Sequence, residues 1–470
     1  MIFSSIFFLF IFLPVTLILY YVVPWKFKNL LLLIVSLIFY AWGEPVYVLL
    51  MMFSMVFNYF GGIQIDALRR CGNERGLKIS FLFTVVVNLA ILGFFKYYGF
   101  ILGTINSVFS VNIPYKELSL PIGISFYTFQ TLSYIIDLYW GSISVQKNFI
   151  SFGTYITMFP QLIAGPIVRY IDIAKQLNRR TLSLQKFGDG MAWFVRGLGK
   201  KVLLANNIGM MFDSIYALGS DGRSVLTAWL GALAYTMQIY FDFSGYSDMA
   251  VGLGKMFGFE FVQNFNYPYV SRNLTDFWRR WHISLGTWFR EYVYIPLGGN
   301  RVSDARNVLN IMIVWALTGL WHGAAWNFVL WGVYHGILLL LEKKLLKDQL
   351  EKLPDIVQMI ITFILVMFGW VMFFSSSFSD MTSYFGSMFG NTSLGFADNT
   401  AVYYLLTNLI LIILCFIASG PFAWDHMRRF ALKRGTCRQI VAIAAYAVIF
   451  VMSLAYLVNA TYNPFLYFRF

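Results

Sequence analysis

Long apolar runs recur along the whole chain, with almost no charge inside them. A run of about 20 apolar residues is long enough to cross a bilayer as a helix. The stretches 1–23, 79–98, 357–374, 401–418 and 437–458 reach that length. Shorter or interrupted runs fill 29–61, 120–140 and 225–243. The pattern predicts an all-α, polytopic integral membrane protein with about ten or more helices. The first run lacks a basic start and a small-residue cleavage site, so it reads as a retained first helix. The middle of the chain, 120–332, is different. Pro121-Ile122-Gly123, Phe159-Pro160 and Gly165-Pro166 interrupt its apolar segments and would break a spanning helix. Broken helices survive at membrane depth only where protein or a watery cavity satisfies the freed backbone. This third therefore predicts re-entrant or tilted segments around a cavity. Ordinary helices flank it, over 1–103 and 339–458.

Composition supports the membrane reading. Of 470 residues, 59% are hydrophobic, 19% aromatic and 12% charged, and the mean hydropathy is +0.66. Soluble domains carry about 25% charged residues, so most of this surface has to face lipid. The net charge of +13 is explained by the membrane and not by nucleic acid, because cytoplasmic loops are rich in Lys and Arg. The cations cluster at Lys26 and Lys28, at Arg69, Arg70, Arg75 and Lys78, at Lys343, Lys344 and Lys347, and at Arg428, Arg429, Lys433, Arg434 and Arg438. The stretch 375–400 has neither Lys nor Arg and is placed outside, with both termini on that side too. Cys71, Cys415 and Cys437 are far apart, which argues against a disulfide framework or a thiolate metal site. With four histidines in the chain, zinc is not expected either. Asn391-Thr392-Ser393 and Asn459-Ala460-Thr461 match a glycosylation sequon that arises often by chance.

Candidate chemistry concentrates in three segments. In Thr318-Gly319-Leu320-Trp321-His322-Gly323-Ala324-Ala325-Trp326-Asn327, a histidine interrupts apolar sequence. An ionisable group at such a place is costly and marks a functional site by default. The bland alternative is a histidine hydrogen-bonded to a neighbouring helix. Trp321 and Trp326 could wall a pocket there. His335 is read as a packing residue, with a second site role as the alternative. The segment 271–301 mixes Arg272, Arg279, Arg280 and Arg290 with Trp278, Trp281 and Trp288, and contains His282. It fits an amphipathic helix on the inner membrane surface or a cationic entrance for an acidic donor such as a coenzyme A phosphate, and the two are compatible. In 238–250, Asp242 and Asp248 stand in aromatic surroundings. They could orient a histidine, balance an arginine, or sit at a wet helix boundary. His426 reads as a solvated loop residue. The chain has no G-x-S-x-G elbow, Walker loop or H-E-x-x-H. What remains suits a general base acting on a hydroxyl, with the acyl group supplied already activated.

Five ordered stretches resemble the membrane-bound O-acyltransferase family, in its bacterial alginate O-acetyltransferase branch: 121–141, 159–170, 238–259, 264–301 and 317–336. With Phe39-Tyr40-Ala41-Trp42-Gly43 they span most of the chain in order. The resemblance implies one membrane-embedded domain over 1–470, with core motifs in 121–336 and helices enclosing a central tunnel. It implies a bacterial inner-membrane enzyme that moves an acyl group, acetyl in this branch, from a cytoplasmic thioester to a hydroxyl for polysaccharide O-acetylation outside. The donor would be acetyl-CoA or an acyl carrier thioester, with no bound cofactor and no metal. Transfer would be direct or through an extracytoplasmic acyltransferase partner, alongside polysaccharide synthesis and export machinery. The family's catalytic histidine falls on His322 and its second functional histidine on His282. Arg279, Arg280, Trp278, Trp321, Trp326 and Asn327 become candidates for donor binding, and Asp242 for a supporting carboxylate. One departure is Arg469, where the branch would have glutamine. The runner-up within the family is D-alanyl transfer to teichoic acid from a carrier protein. From another class, a transporter or flippase of an acylated intermediate would use the same cavity, with His322 as a proton-coupled gate. The absence of an internal repeat argues against it. A scaffold for polysaccharide export would leave His322 unexplained.

Overall fold

Apolar periodicity becomes helix almost everywhere. The computed structural model describes residues 1–459 apart from 117, 164 and 433–435, together with 462–464 and 466. Arg469, Lys433, Arg434 and the second sequon's Thr461 lie outside the described residues. The protein is all-α, with no strand among the described residues. Five helices there are long and apolar enough to cross a membrane: Tyr47–Arg70, Glu74–Phe109, Asp355–Phe374, Asn399–Ser419 and Gln439–Asn459. It is a multi-pass membrane protein. Four of the five contain or closely match the predicted runs. The fifth, Tyr47–Arg70, emerges from the interrupted run 29–61, which divides into Lys28–Ala41 and Tyr47–Arg70 around Gly43-Glu44-Pro45. The first run forms a shorter apolar helix, Phe8–Val22. The run 79–98 grows at both ends into a helix of 36 residues. At 1.5 Å per residue it is about 54 Å long, well beyond the ~30 Å hydrocarbon layer. Its polar first turn continues the helix past the apolar stretch. Asn73 caps that end by accepting from the Gly76 amide at 2.9 Å.

The chain divides into two compact units, 1–194 with 249–262, and 195–248 with 263–470. In the first, Asn58 and Asn88 exchange side-chain hydrogen bonds of 3.0 and 2.8 Å between Tyr47–Arg70 and Glu74–Phe109. Amide pairs of this kind hold helices together in lipid, where apolar contact alone gives little preference. The interrupted helices predicted here are present. Gly123 turns the chain with φ +75° before Ile124–Trp140. Phe149–Thr157, the single turn Phe159–Leu162 and Tyr170–Asn178 then follow one another. Ile124–Trp140 is buried on nearly every face, so it is a core helix and not a lipid-facing one.

The second unit is built on two features. The first is the segment 225–248 of the helix Val225–Met256, which carries two buried carboxylates. Asp242 pairs with Lys201 at 2.5 Å. Asp248 pairs with Lys200 at 2.7 Å and with Arg196 at 3.1 Å. Charges buried this deeply persist only when paired and hydrogen-bonded. The chain's end joins this network: Leu466 donates its amide to Asp242 at 2.9 Å, and Lys201 donates to the Pro464 carbonyl. The second feature is the hairpin of Asp304–His322 and Trp326–Leu341. Its helices meet at Gly319 and Gly332, where a Cβ on either would overlap a backbone carbonyl of the other helix, that of Phe328 or of Trp315. Close approach of this kind is what small residues permit between membrane helices. Gly332→Ala is therefore expected to cost about 1–3 kcal/mol through overpacking. In detergent this reads as a lowered melting temperature; an unchanged melt would show that the hairpin gives way freely.

Candidate active site

The site is assembled from the second unit alone. The short helix Leu274–Arg280 starts on two caps. Asn273 accepts from the Asp276 amide at 2.7 Å. The Glu342 carboxylate accepts from the Leu274 and Thr275 amides at 2.6 and 3.0 Å, and from the Thr275 hydroxyl at 2.6 Å. A carboxylate here satisfies exposed N–H groups and complements the helix dipole. The helix ends at Trp281, and Ile283–Phe289 begins two residues on. His282 is the corner between them, with φ +46° and ψ +53°. A residue other than glycine in that left-handed region costs about 1–3 kcal/mol and persists only where its surroundings over-determine it. Asn264 does so. Its side-chain oxygen accepts from the Ser284 amide at 3.1 Å and the Ser284 hydroxyl at 2.9 Å, and lies 3.2 Å from His282 Nδ1. Its backbone oxygen accepts from the Ile283 amide at 2.9 Å.

His322 is placed differently. It is the last residue of Asp304–His322, after which Gly323 leaves the helix in extended backbone. Its ring sits edge-on to Trp321 and Trp331 at 5.0 Å each, and to Phe373 at 5.3 Å. His282 and His322 are 3% and 5% exposed. Both line one cavity of about 450 Å³, together with Trp278, Arg279, Trp281, Arg290 and Thr318. The cavity thus joins two buried imidazoles, indole walls and the exposed Arg279, with an exposed Arg290 that is paired with Glu291 at 2.6 Å. Imidazole is the side chain best suited to move a proton near neutral pH.

The other predicted residues are distributed unevenly. Trp278 and Arg279 join the histidines in the cavity wall. Arg280 does not; it pairs with Asp276 at 2.9 Å on its own helix. Trp321 is buried beside both rings, 5.7 Å from His282 and 5.0 Å from His322, behind the wall. Trp326 is 58% exposed and away from the cavity. Asn327 donates to the Ser375 carbonyl at 3.0 Å, tying its helix to the end of Asp355–Phe374. Asp242 has Lys201 and the Leu466 amide as partners. His335 is wholly buried, packed on Trp278, Trp315 and Trp331 with centroids 4.8–5.6 Å away. His426 is exposed. Asn264 was not singled out by sequence, and no local spacing marks it, because its partners are reached only through the fold.

The model of the membrane-bound O-acyltransferase family matches residues 142–378, which include the whole cavity. The chain belongs to this family and is an O-acyltransferase. It is similar to proteins described as "Probable alginate O-acetylase AlgI". The one from Azotobacter vinelandii is 39% identical, with all of both chains covered. The one from Pseudomonas aeruginosa is 46% identical over 79% of this chain and 72% of the relative. A peptidoglycan O-acetyltransferase of Helicobacter pylori is 35% identical over 79% of this chain and 77% of the relative.

Removing the Asn264 anchor tests the geometry. Asn264→Ala strands the Ser284 groups and frees the His282 corner, a loss of about 1–3 kcal/mol. The expected outcome is a modestly lowered melting temperature together with acyl transfer reduced about 10–100-fold in the protein that remains folded. Full activity in that variant would remove Asn264 from the site's support.

Proposed function

We propose that the protein moves an acetyl group from a thioester donor on the cytoplasmic side to a hydroxyl destined for polysaccharide O-acetylation outside the cell. The observation that carries this reading is the single cavity onto which both His282 and His322 open, with cations at its rim. The named relatives act on alginate and on peptidoglycan, both extracytoplasmic polymers, which supports the acceptor class. The basic loops support an inner-membrane placement with the donor on their side. The final acceptor is the polymer itself or a partner acyltransferase that relays the group.

The chemistry then follows from the residues. The donor's phosphates, supplied by acetyl-CoA or a carrier's phosphopantetheine, meet Arg279. Its thioester extends between the indole walls. His322 takes the proton of the incoming hydroxyl, and the oxygen attacks the thioester carbonyl. His282, whose Nδ1–H is given to Asn264, presents Nε2 as an acceptor and positions the donor. Collapse breaks the C–S bond, the thiolate leaves, and the proton held by His322 passes to it. The new ester and the free thiol account for every atom. The apolar walls keep water from competing for the donor.

His322→Ala is expected to lower transfer about 10²–10⁴-fold, the range for a lost general base, with radiolabelled donor and detergent-solubilised protein. Near-normal transfer would sink the assignment. The same assay tests the transporter reading, since covalent transfer without a gradient is not transport. Arg279→Glu reverses a charge at the cavity rim. It is expected to raise the donor KM about tenfold, equivalent to ~1.4 kcal/mol, while kcat changes little. An unchanged KM would take Arg279 out of donor binding.

A further inference from the structure

The first unit holds a second groove, which acyl transfer does not use. It has a volume of about 670 Å³ and is lined by Tyr21, Val23, Lys28, Leu182, Leu184 and Phe187, with Ser183. Lys28 is its cation and is 94% buried. Arg180, 93% buried, lies close behind, and both cations stack on the Tyr20 ring, at 4.4 and 5.6 Å from its centroid. Neither makes an ion pair among the described residues. Lys28 donates to the Tyr20 carbonyl. Arg180 donates to the Tyr20 hydroxyl, the Phe257 carbonyl and the Asn29 side chain at 2.8, 3.1 and 2.8 Å. These acceptors leave donors over: Arg180 Nη2 is buried with no partner, and an ammonium has three N–H groups. Two like charges buried together without a counter-ion are costly, and an anion would offset that cost.

The surroundings say what kind of anion. The groove lies where the apolar helix Phe8–Val22 ends, followed by the exposed rings of Trp25 and Phe27. Exposed aromatic rings at the end of an apolar helix mark the membrane–water interface. Leu184, in the groove wall, is 91% exposed. Such a leucine suits contact with acyl chains and not with water. Further cations, Lys26, Arg179 and Lys186, belong to the same short segments, and the carboxylate of Glu260 pairs with Lys186 and with Lys255 of the helix Val225–Met256, at 2.8 Å each.

We propose that this groove binds an anionic phospholipid, with the headgroup phosphate at Lys28, the field of Arg180 behind it, and an acyl chain along Val23, Leu184 and Phe187. Basic pockets between membrane helices take phosphate headgroups in this way.

The test uses the full chain in mild detergent, with bound lipid counted by native mass spectrometry. The probes are dioctanoyl phosphatidylglycerol and dioctanoyl phosphatidylcholine. Phosphatidylglycerol is expected to bind about fivefold or more tightly than phosphatidylcholine, as for one added cation contact. Lys28→Gln should lower phosphatidylglycerol affinity by about the same factor, and Lys28→Arg should retain it. Leu184→Glu alters an exposed side chain, so folding is untouched, and a carboxylate set along the acyl-chain path should weaken the binding of both lipids. Equal affinity for the two lipids would overturn the proposal. So would undiminished phosphatidylglycerol binding in Leu184→Glu. Displacement of the lipid by an equal concentration of inorganic phosphate would also overturn it, because the groove would then be a site for free anions.

Discussion

A polar group carried to membrane depth has to find its partner within the protein, since lipid offers none. That constraint arranges much of this structure. Asn58 and Asn88 answer each other across two long helices. Lys201 answers Asp242, and Lys200 with Arg196 answers Asp248. Even the chain's end is drawn in, with the Pro464 carbonyl and Leu466 amide completing the Lys201–Asp242 pair. Each of these arrangements consumes polar capacity in holding helices together. Their carboxylates are thereby committed to lysines and arginine, and the cavity is lined by imidazole, indole, hydroxyl and guanidinium groups.

Much of this was legible in the sequence, for physical reasons. Spanning runs are legible because lipid exposure demands about 20 unbroken apolar residues. The breaks at Gly123 and Pro160 are legible because these residues have distinctive backbones. His322 stands out because an ionisable group in apolar sequence is expensive. Helix ends are less legible: Glu74–Phe109 overruns its apolar stretch because polar residues in water continue a helix freely. Trp326 and Asn327 were grouped with His322 through nearness in sequence. The chain leaves the helix at Gly323 and restarts at Trp326, and this turn carries both residues away from the cavity. Asn264 was invisible for the converse reason. An asparagine in a loop is ordinary, and its meaning lies in a contact with Ser284 that only folding creates. Lys28 read as one more basic loop residue, and its burial could not be inferred from its neighbours.

The two histidines reach one cavity by different physical means. His322 rides a helix terminus whose position depends on glycine contacts between two long helices. Its ring packs edge-on against Trp321, Trp331 and Phe373. His282 is held by its own backbone, bent into a left-handed corner and fastened by the side-chain and backbone oxygens of Asn264. A side chain on a strained corner has few alternative positions, because relaxing it would break several hydrogen bonds at once. The strain therefore works as a positional constraint that a flexible loop would not supply.

The same cavity also separates attraction from reaction. Arg279 is exposed, where its field extends into solvent and is screened over about 10 Å. The imidazoles are almost wholly buried among rings, where water is scarce and each hydrogen bond counts for more. A highly charged donor would be drawn by its phosphates, which never need to leave water. Its acyl end carries no charge and enters the apolar interior at little desolvation cost. A donor charged at both ends would be stopped at the rim. The division between wet cationic rim and dry interior thus selects for a molecule with an anionic handle and a neutral reactive tip, the shape of an acyl thioester.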